Sequence, residues 1–319
     1  MKNDRPTRLY KYQPPDRISS IENRLLRFSQ PGVFNDPFEL RAVISATHQD
    51  DALIEQVNLR GIAELAAKTS PQLARLNPTQ KNQWIARTVA RAKEKLRLAL
   101  PAAQNAVFDL INHRDLVASA NKSLGILCLS STATNLLMWG HYTSSYAGFV
   151  VEFDATHDFF SCPPDAHASA GTLTKVNYLD NRPTILLDKV TDDCVAQLLF
   201  SKAKNWKYEQ EWRLVRRLAS ANSVLPGKPL DIHLFEIPPT AITAVVVGHR
   251  MSKENFETVR AILTSPLYQH IALKRIQIHA SKYSLTIEDA TSWESLDSDA
   301  SRSAIAQATL DSNSTDNRW

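Results

Sequence analysis

The 319-residue chain sets 37 Lys and Arg against 33 Asp and Glu, a net charge of +4, with 43% apolar residues and a mean hydropathy of -0.28. That is enough apolar material for a sizeable core in one large domain or two average ones, and it excludes a natively unfolded chain. So mild a positive charge gives no argument for nucleic acid by itself.

Cys128, Cys162 and Cys194 are odd in number and lack CxxC spacing, which disfavours a disulfide framework or zinc knuckle and fits a reducing compartment. The segment from Met1 to Arg8 is charged and has no apolar signal-peptide stretch. No apolar run approaches the ~20 residues of a membrane helix. The expectation is a cytoplasmic protein with no membrane partner.

Strand alternation begins at Arg8 to Tyr12 and stops at Pro14-Pro15. Asp16 to Leu26 reads as a short helix, with Ile18, Ile21 and Leu25 on one stripe, and Arg27 to Phe34 as extended. Asn35-Asp36-Pro37 is a turn, because a residue before proline is pushed out of the helical region. From Asp50 to about Val117 alternation vanishes and Ala, Leu, Arg and Gln dominate, which predicts a helical insertion. Ser70-Pro71 and Asn77-Pro78 mark two helix starts, and Gln80 completes a capping box with Asn77. Beyond Lys122 the strands predicted are Gly125 to Ser131, Phe149 to Asp154, Leu173 to Tyr178, Glu211 to Arg216, Ile242 to Gly248 and Leu273 to His279. Helices are expected at Asp188 to Lys204 and Ser252 to Leu263. From Ser292 the Ser-, Asp- and Asn-rich chain reads as a disordered tail. The sum is an α+β fold: a mixed, mainly antiparallel sheet core in a single domain over 1–291, the helical insertion at 50–117, and a flexible tail at 292–319.

The densest chemistry is Trp206-Lys207-Tyr208-Glu209-Gln210-Glu211-Trp212-Arg213. Read as a strand, it sets Glu209, Glu211 and Arg213 on one face, and two carboxylates there repel unless a cation or ligand lies between them. Lys202, just upstream, is a candidate for that cation; a solvated ion ladder is the plainer alternative. Asp36 and Glu39, beside Asn35, offer free carboxylates for a metal or a ribose, against an ordinary turn in which Asn35 and Asp36 bond their own backbone. Ser130-Ser131-Thr132 ends a strand in three hydroxyls that orient a ligand or cap the next segment. Trp139 and Tyr142 supply stacking faces, and His141 titrates near neutrality, unless it is a buried structural histidine. A basic stripe of Arg87, Arg91 and Lys95 beside Trp84 can follow a phosphate backbone or simply face water.

In order along the chain, Leu9-Tyr10-Lys11-Tyr12, Phe34-Asn35-Asp36-Pro37-Phe38-Glu39, Leu137-Met138-Trp139 with His141-Tyr142, and Lys202 with Trp206, Tyr208, Glu209, Glu211 and Arg213 resemble the bacterial domain-of-unknown-function family numbered 2971. That resemblance brings no assigned chemistry. The order of a basic first strand, Ser130-Ser131-Thr132 and Glu209-Gln210-Glu211 is similar to that of the arginine-type ADP-ribosyltransferases. This second resemblance implies NAD as a substrate, Glu211 as the catalytic carboxylate and Glu209 orienting a protein or nucleic-acid acceptor. It also implies Ser130 on the nicotinamide ribose and Lys11 in the place of the family's arginine, although Lys11 alternates away from the face shared by Arg8, Tyr10 and Tyr12. His141 is the further catalytic candidate. Tyr12, Trp139, Tyr142 and Lys202 would line the nucleotide, while Asn35, Asp36, Glu39, Trp206 and Arg213 serve substrate or structure. The expected activity is an NAD-consuming transferase or glycohydrolase, a toxin or defence effector. The alternatives are a metal-dependent nuclease built on Asp36, Glu39, Glu209 and Glu211, and a non-catalytic module binding a nucleotide or partner.

Overall fold

The computed structural model describes residues 5–45, 59–69, 73, 75–161, 171–186, 192–290 and 292–293. They divide into two compact units, one spanning Met1–Asn35, Asn121–Tyr178 and Lys202–Trp319, the other Asp36–Ala120 and Leu179–Ser201. The strands are β1 (Arg8–Gln13), β2 (Leu25–Phe28), β3 (Val43–Ser45), β4 (Leu124–Ser130), β5 (Phe149–Asp154), β6 (Thr174–Lys175), β7 (Asn177–Leu179), β8 (Thr184–Leu186), β9 (Ser201–Ala203), β10 (Glu211–Arg217), β11 (Ser223–Leu225), β12 (Ile232–Glu236), β13 (Ile242–Val247), β14 (Ala272–Ile278) and β15 (Leu285–Asp289). The helices are α1 (Ser19–Glu22), α2 (Leu59–Thr69), α3 (Pro78–Ser123), α4 (Leu136–Tyr142), α5 (Asp192–Leu199) and α6 (Lys253–Leu263).

The first unit is built on an eight-stranded sheet ordered β15-β14-β13-β5-β1-β4-β10-β6. β13 and β14 run parallel across α6, and the other recorded pairs are antiparallel. The fold is therefore α+β with a mixed, mainly antiparallel sheet, as the strand-rich second half predicts. Period-two alternation sorts the side chains. Leu127, Leu129, Phe149, Val151, Phe153, Leu214, Val245 and Val247 enter the larger core, whereas Tyr12, Val150, Val246 and Ile276 pack with Met138 and Trp139 of α4 in a smaller one. α6 starts on an Ser252 N-cap and buries Phe256, Val259 and Leu263, one stripe at helical spacing. A smaller sheet, β11-β12-β2, belongs to the same unit.

In the second unit β3 and β8 pair in parallel, and the described part of the expected insertion is helical, as α2 and α3. Asn77 and Gln80 form the reciprocal capping box: Gln80 N–H donates to Asn77 Oδ1 at 2.9 Å and Asn77 N–H to Gln80 Oε1 at 3.2 Å. Arg87, Arg91 and Lys95 of α3 are exposed, the ordinary arrangement for a solvated face.

Four local expectations change. The Asp16 to Leu26 helix shrinks to a 3-10 turn and the one-turn α1, because Arg24 takes a left-handed φ of 57° that redirects the chain into β2. Within Arg27 to Phe34 the strand ends at Phe28 and the chain stays extended through Gln30, and a 3-10 turn at Pro31–Val33 interrupts the rest. Leu173 to Tyr178 is broken at Val176 into β6 and β7, and the helix expected to reach Lys204 ends at Leu199. The Ser70-Pro71 helix start, and the tail apart from Ser292 and Trp293, lie outside the described residues.

Candidate functional site

Register sets the floor of the site. Glu211 faces Ser130 and Arg213 faces Cys128 across β10 and β4, and Tyr10 faces Ser130 across β1 and β4. Tyr10, Cys128, Ser130, Glu211 and Arg213 thus share one side of the sheet, while Trp212 and Leu214 point into the larger core. The register of β1 with β4 rests on Tyr10 and Ser130 alone, so the strands diverge beyond it. Lys11, which alternates away from Tyr10, reaches into the gap and donates Nζ–H to the Cys128 carbonyl at 3.0 Å.

Glu209 arrives differently from the strand reading. Lys204–Glu209 is a 3-10 turn, and Gln210 reverses the chain with φ 46° and ψ 49° before β10 begins. A non-glycine residue holds that conformation only when its surroundings impose it. Here Ser130 Oγ–H donates to the Glu209 carbonyl at 2.7 Å, Ser131 N–H to the Gln210 carbonyl at 3.1 Å, and Asn135 Nδ2–H to the Tyr208 carbonyl at 3.0 Å. The turn, not strand alternation, brings the two glutamates together.

Between them lies Lys202. Its Nζ donates to Glu209 Oε2 at 2.5 Å and to Glu211 Oε2 at 3.2 Å. Arg213 donates Nε–H to Glu211 Oε1 at 2.8 Å and Nη2–H to Oε2 at 3.2 Å, a bidentate grip. Tyr142 donates its hydroxyl to Glu209 Oε1 at 2.5 Å, and Asn35 Nδ2–H reaches the Tyr142 hydroxyl at 3.4 Å. The Trp206 ring lies 4.8 Å from Lys202 Nζ, and the Phe34 ring 5.4 Å from Arg213 Cζ. Glu209 and Glu211 are each 4% exposed and Arg213 is 0% exposed. Burial works to raise the Glu211 carboxyl, yet the Arg213 and Lys202 charges and the Arg213 hydrogen bonds overcome it and hold the group at about 2. Burial likewise opposes the charge on Lys202, but its two carboxylates raise it above the ordinary lysine value. The Tyr142 hydroxyl is raised by burial and then by its bond to Glu209. Burial and the neighbouring Glu211 push the Cys128 thiol up, so it is not a poised nucleophile.

These groups border a cavity of about 250 Å³ that also takes in Tyr10, Lys11, Tyr12, Phe34, Asn35 and Met138. Three cations, Lys11, Lys202 and Arg213, face it against two carboxylates. Lys11 has no carboxylate partner among the described residues.

Other predicted residues take different positions. Trp139 is fully buried, with its Nε1–H bonded to the Ala133 carbonyl at 2.7 Å and its ring against Tyr12, so it presents no stacking face. Tyr12 borders the cavity, but its hydroxyl is spent on the Thr132 carbonyl at 2.9 Å. Ser130 also borders the cavity, but it is buried and its hydroxyl donates to the Glu209 carbonyl. His141 is exposed, near the rings of Tyr142 and Tyr208, and does not line the cavity. Asp36 and Glu39 belong to the second unit, where Asp36 Oδ1 accepts from Phe38 N–H at 2.9 Å in the plain Asx turn. No group of three or more His, Cys, Asp or Glu among the described residues is placed to hold a metal ion. Sequence reasoning overlooked Tyr10 and Cys128, although each sits two residues from a candidate on its own strand. It also overlooked Tyr178, whose hydroxyl accepts from Glu211 N–H at 2.8 Å and which no pattern signals.

Fold and site together define an α+β protein whose mixed sheet carries a buried Lys-Glu-Glu-Arg cluster at the wall of a small cavity. Residues 138–214, from Met138 in α4 to Leu214 in β10, match the family model described as Protein of unknown function (DUF2971), and over that segment the resemblance read from the motifs holds. No curated protein and no solved structure matches the chain. No helix among the described residues is long and apolar enough to cross a membrane.

Proposed function

We propose that the cavity receives the nicotinamide-ribose end of NAD and that the chain is an NAD-consuming transferase or glycohydrolase. The observation that carries this reading is Glu211: a buried carboxylate held by Arg213 and Lys202 on the wall of an aromatic-lined cavity. Breaking the N-glycosidic bond sends its electron pair out with neutral nicotinamide and leaves positive charge on the ribose. A fixed carboxylate in a poorly hydrated site is suited to that charge. Water, or a nucleophile of a protein or nucleic-acid acceptor, then bonds to the anomeric carbon and releases its proton to solvent, with Glu209 orienting it. Lys11, which has no carboxylate partner among the described residues, suits the phosphate. At about 250 Å³ the cavity falls just under the ~300–1,000 Å³ of whole-ligand pockets, so the rest of the dinucleotide would lie at its mouth.

One observation favours a second reading. Both carboxylates are already paired with buried cations, as in a structural ion cluster, and a site of that kind can bind a nucleotide without turning it over. Nicotinamide release and NAD binding, measured in parallel with and without cell extract as acceptor, separate the two. The first reading expects release in the wild type and a loss of ~10²–10³-fold in Glu211→Gln, the range for removing one electrostatic stabiliser, with binding kept within a few-fold. Binding without release leaves the second reading standing. Absence of both sinks the NAD assignment.

A further inference from the structure

A second cavity of about 260 Å³ lies elsewhere in the first unit, bordered by Leu136, Tyr146, His249, Arg250, Ile278 and the hairpin residues Lys282 to Leu285. Two features of the chain place it. His249 and Arg250 follow β13 and Ile278 ends β14, so the cavity opens at the carboxyl ends of the parallel pair of the eight-stranded sheet, on the loop that leads into α6. In sheets with parallel strands that end is where ligands collect, because the strand-to-helix loops leave a crevice there.

The opposite wall is strained. Ser144, Ser145 and Tyr146 take φ values of 52°, 56° and 71°, three left-handed non-glycine residues in succession. Such geometry persists only where neighbours over-determine it, and it gathers at functional sites. Tyr146 is pinned by its N–H to the Trp139 carbonyl at 3.2 Å, by its hydroxyl to the Leu136 carbonyl at 3.0 Å, and by stacking on Trp139 at 6.2 Å and 9°. The β13 loop closes on it. Arg250 N–H bonds the Tyr146 carbonyl at 2.9 Å, and a Cβ on Gly248 would fall 2.0 Å from that same oxygen, so only glycine allows the approach.

The charge at this cavity is of one sign. Among the described residues Arg250 and Lys282 are exposed and have no carboxylate partner, and no carboxylate lines the cavity. Tyr283, at the hairpin tip, is 101% exposed, an aromatic face with nothing packed on it. Cations beside an open tyrosine ring fit a phosphate joined to a planar base, since the two parts are held by different forces. We propose that this second cavity binds a nucleotide, its phosphate between Arg250 and Lys282 and its base on Tyr283.

Isothermal titration of the full chain with adenosine 5′-monophosphate tests this, with adenosine and a short deoxyadenylate strand as further arms. The expected result is saturable binding that weakens at least tenfold in the Arg250→Ala/Lys282→Ala double variant, about tenfold in Tyr283→Ala, and at least tenfold for adenosine without its phosphate. All three side chains are exposed, so the variants fold, which circular dichroism verifies. Tighter binding by the strand assigns the nucleotide to single-stranded nucleic acid; equal or weaker binding assigns it to the free metabolite. No binding in the wild type, or binding indifferent to these three residues, overturns the proposal. So does binding that Glu211→Gln removes and the double variant does not, since that places the nucleotide in the first cavity. The outcome is independent of nicotinamide release.

Discussion

The two cavities of the first unit handle charge in opposite ways. At the first, Lys202, Glu209, Glu211 and Arg213 are buried and bonded to one another, so four charges nearly cancel inside the protein. At the second, Arg250 and Lys282 stand exposed, with no carboxylate among the described residues on the lining. Buried charge that lacks a partner is costly, whereas exposed charge is screened by water and salt and contributes little to stability. The first arrangement is therefore part of what keeps the fold together, and the second is available to a ligand at almost no cost in stability. Helix α4 and its following turn touch both, with Met138 and Tyr142 at the first cavity and Leu136 and Tyr146 at the second.

The sharpest way to break this contrast is Lys202→Met. Removing the shared cation leaves Glu209 and Glu211 together in a site where each is about one-twentieth exposed, and loss of one partner of a buried ion cluster costs ~3–5 kcal/mol. Denaturant unfolding should show that loss, and adding Glu209→Gln to the same variant should recover part of it. Arg250→Ala, by contrast, should stay within ~0.5 kcal/mol of wild type. Equal effects from Lys202→Met and Arg250→Ala would mean that water reaches both sites alike.

Acid comes next in size. Glu211 has its folded value lowered from 4.5 to about 2, so the folded state binds its proton less readily than the unfolded chain does. Its contribution to stability is complete above about pH 5 and disappears as pH falls through 2. At ~1.36 kcal/mol per pH unit this amounts to roughly 3 kcal/mol. Measured between pH 5 and 2, the stability of the wild type should fall more steeply than that of Glu211→Gln, by about that much over the window. Parallel profiles would show that the Arg213 and Lys202 grip on Glu211 is absent in solution.

How far these sites can be read from sequence follows from the range of each signal. Periodicity gave the main strands and α6, because alternation and the Ser252 cap are properties of adjacent residues. Density of charge, not periodicity, singled out Lys202, Glu209, Glu211 and Arg213, and Tyr142 stood in a separate aromatic motif. What neither signal could give was the reason they converge. The left-handed Gln210 is fixed by Ser130, Ser131 and Asn135, which are ~75–80 positions away, and no local pattern encodes that. Trp139 shows the opposite failure: an aromatic in a motif looked like a stacking face, yet its ring fills the smaller core. The second cavity left no trace in the sequence, since Arg250 and Lys282 are brought together only by the parallel pairing of β13 with β14.

The smallest effect is the most selective. Tyr142→Phe deletes only the hydroxyl that donates to Glu209 Oε1 at 2.5 Å, leaving the ring, Lys202 and the turn in place. A hydrogen bond to a charged acceptor contributes ~1.5–3 kcal/mol, and because Tyr142 is only half-buried the lower end, about 1.5 kcal/mol, is expected. Asn35→Ala removes the weaker 3.4 Å bond to the same hydroxyl at an exposed position, and should shift stability by less than ~0.5 kcal/mol. In a double-mutant cycle the Tyr142→Phe loss should shrink once Glu209 is already Gln, toward the ~0.5 kcal/mol low end for a neutral hydrogen bond, since the amide oxygen still accepts but carries no charge. If Tyr142→Phe costs as much in the Glu209→Gln background as in the wild type, the hydroxyl acts through packing, and Glu209 is held by Lys202 alone.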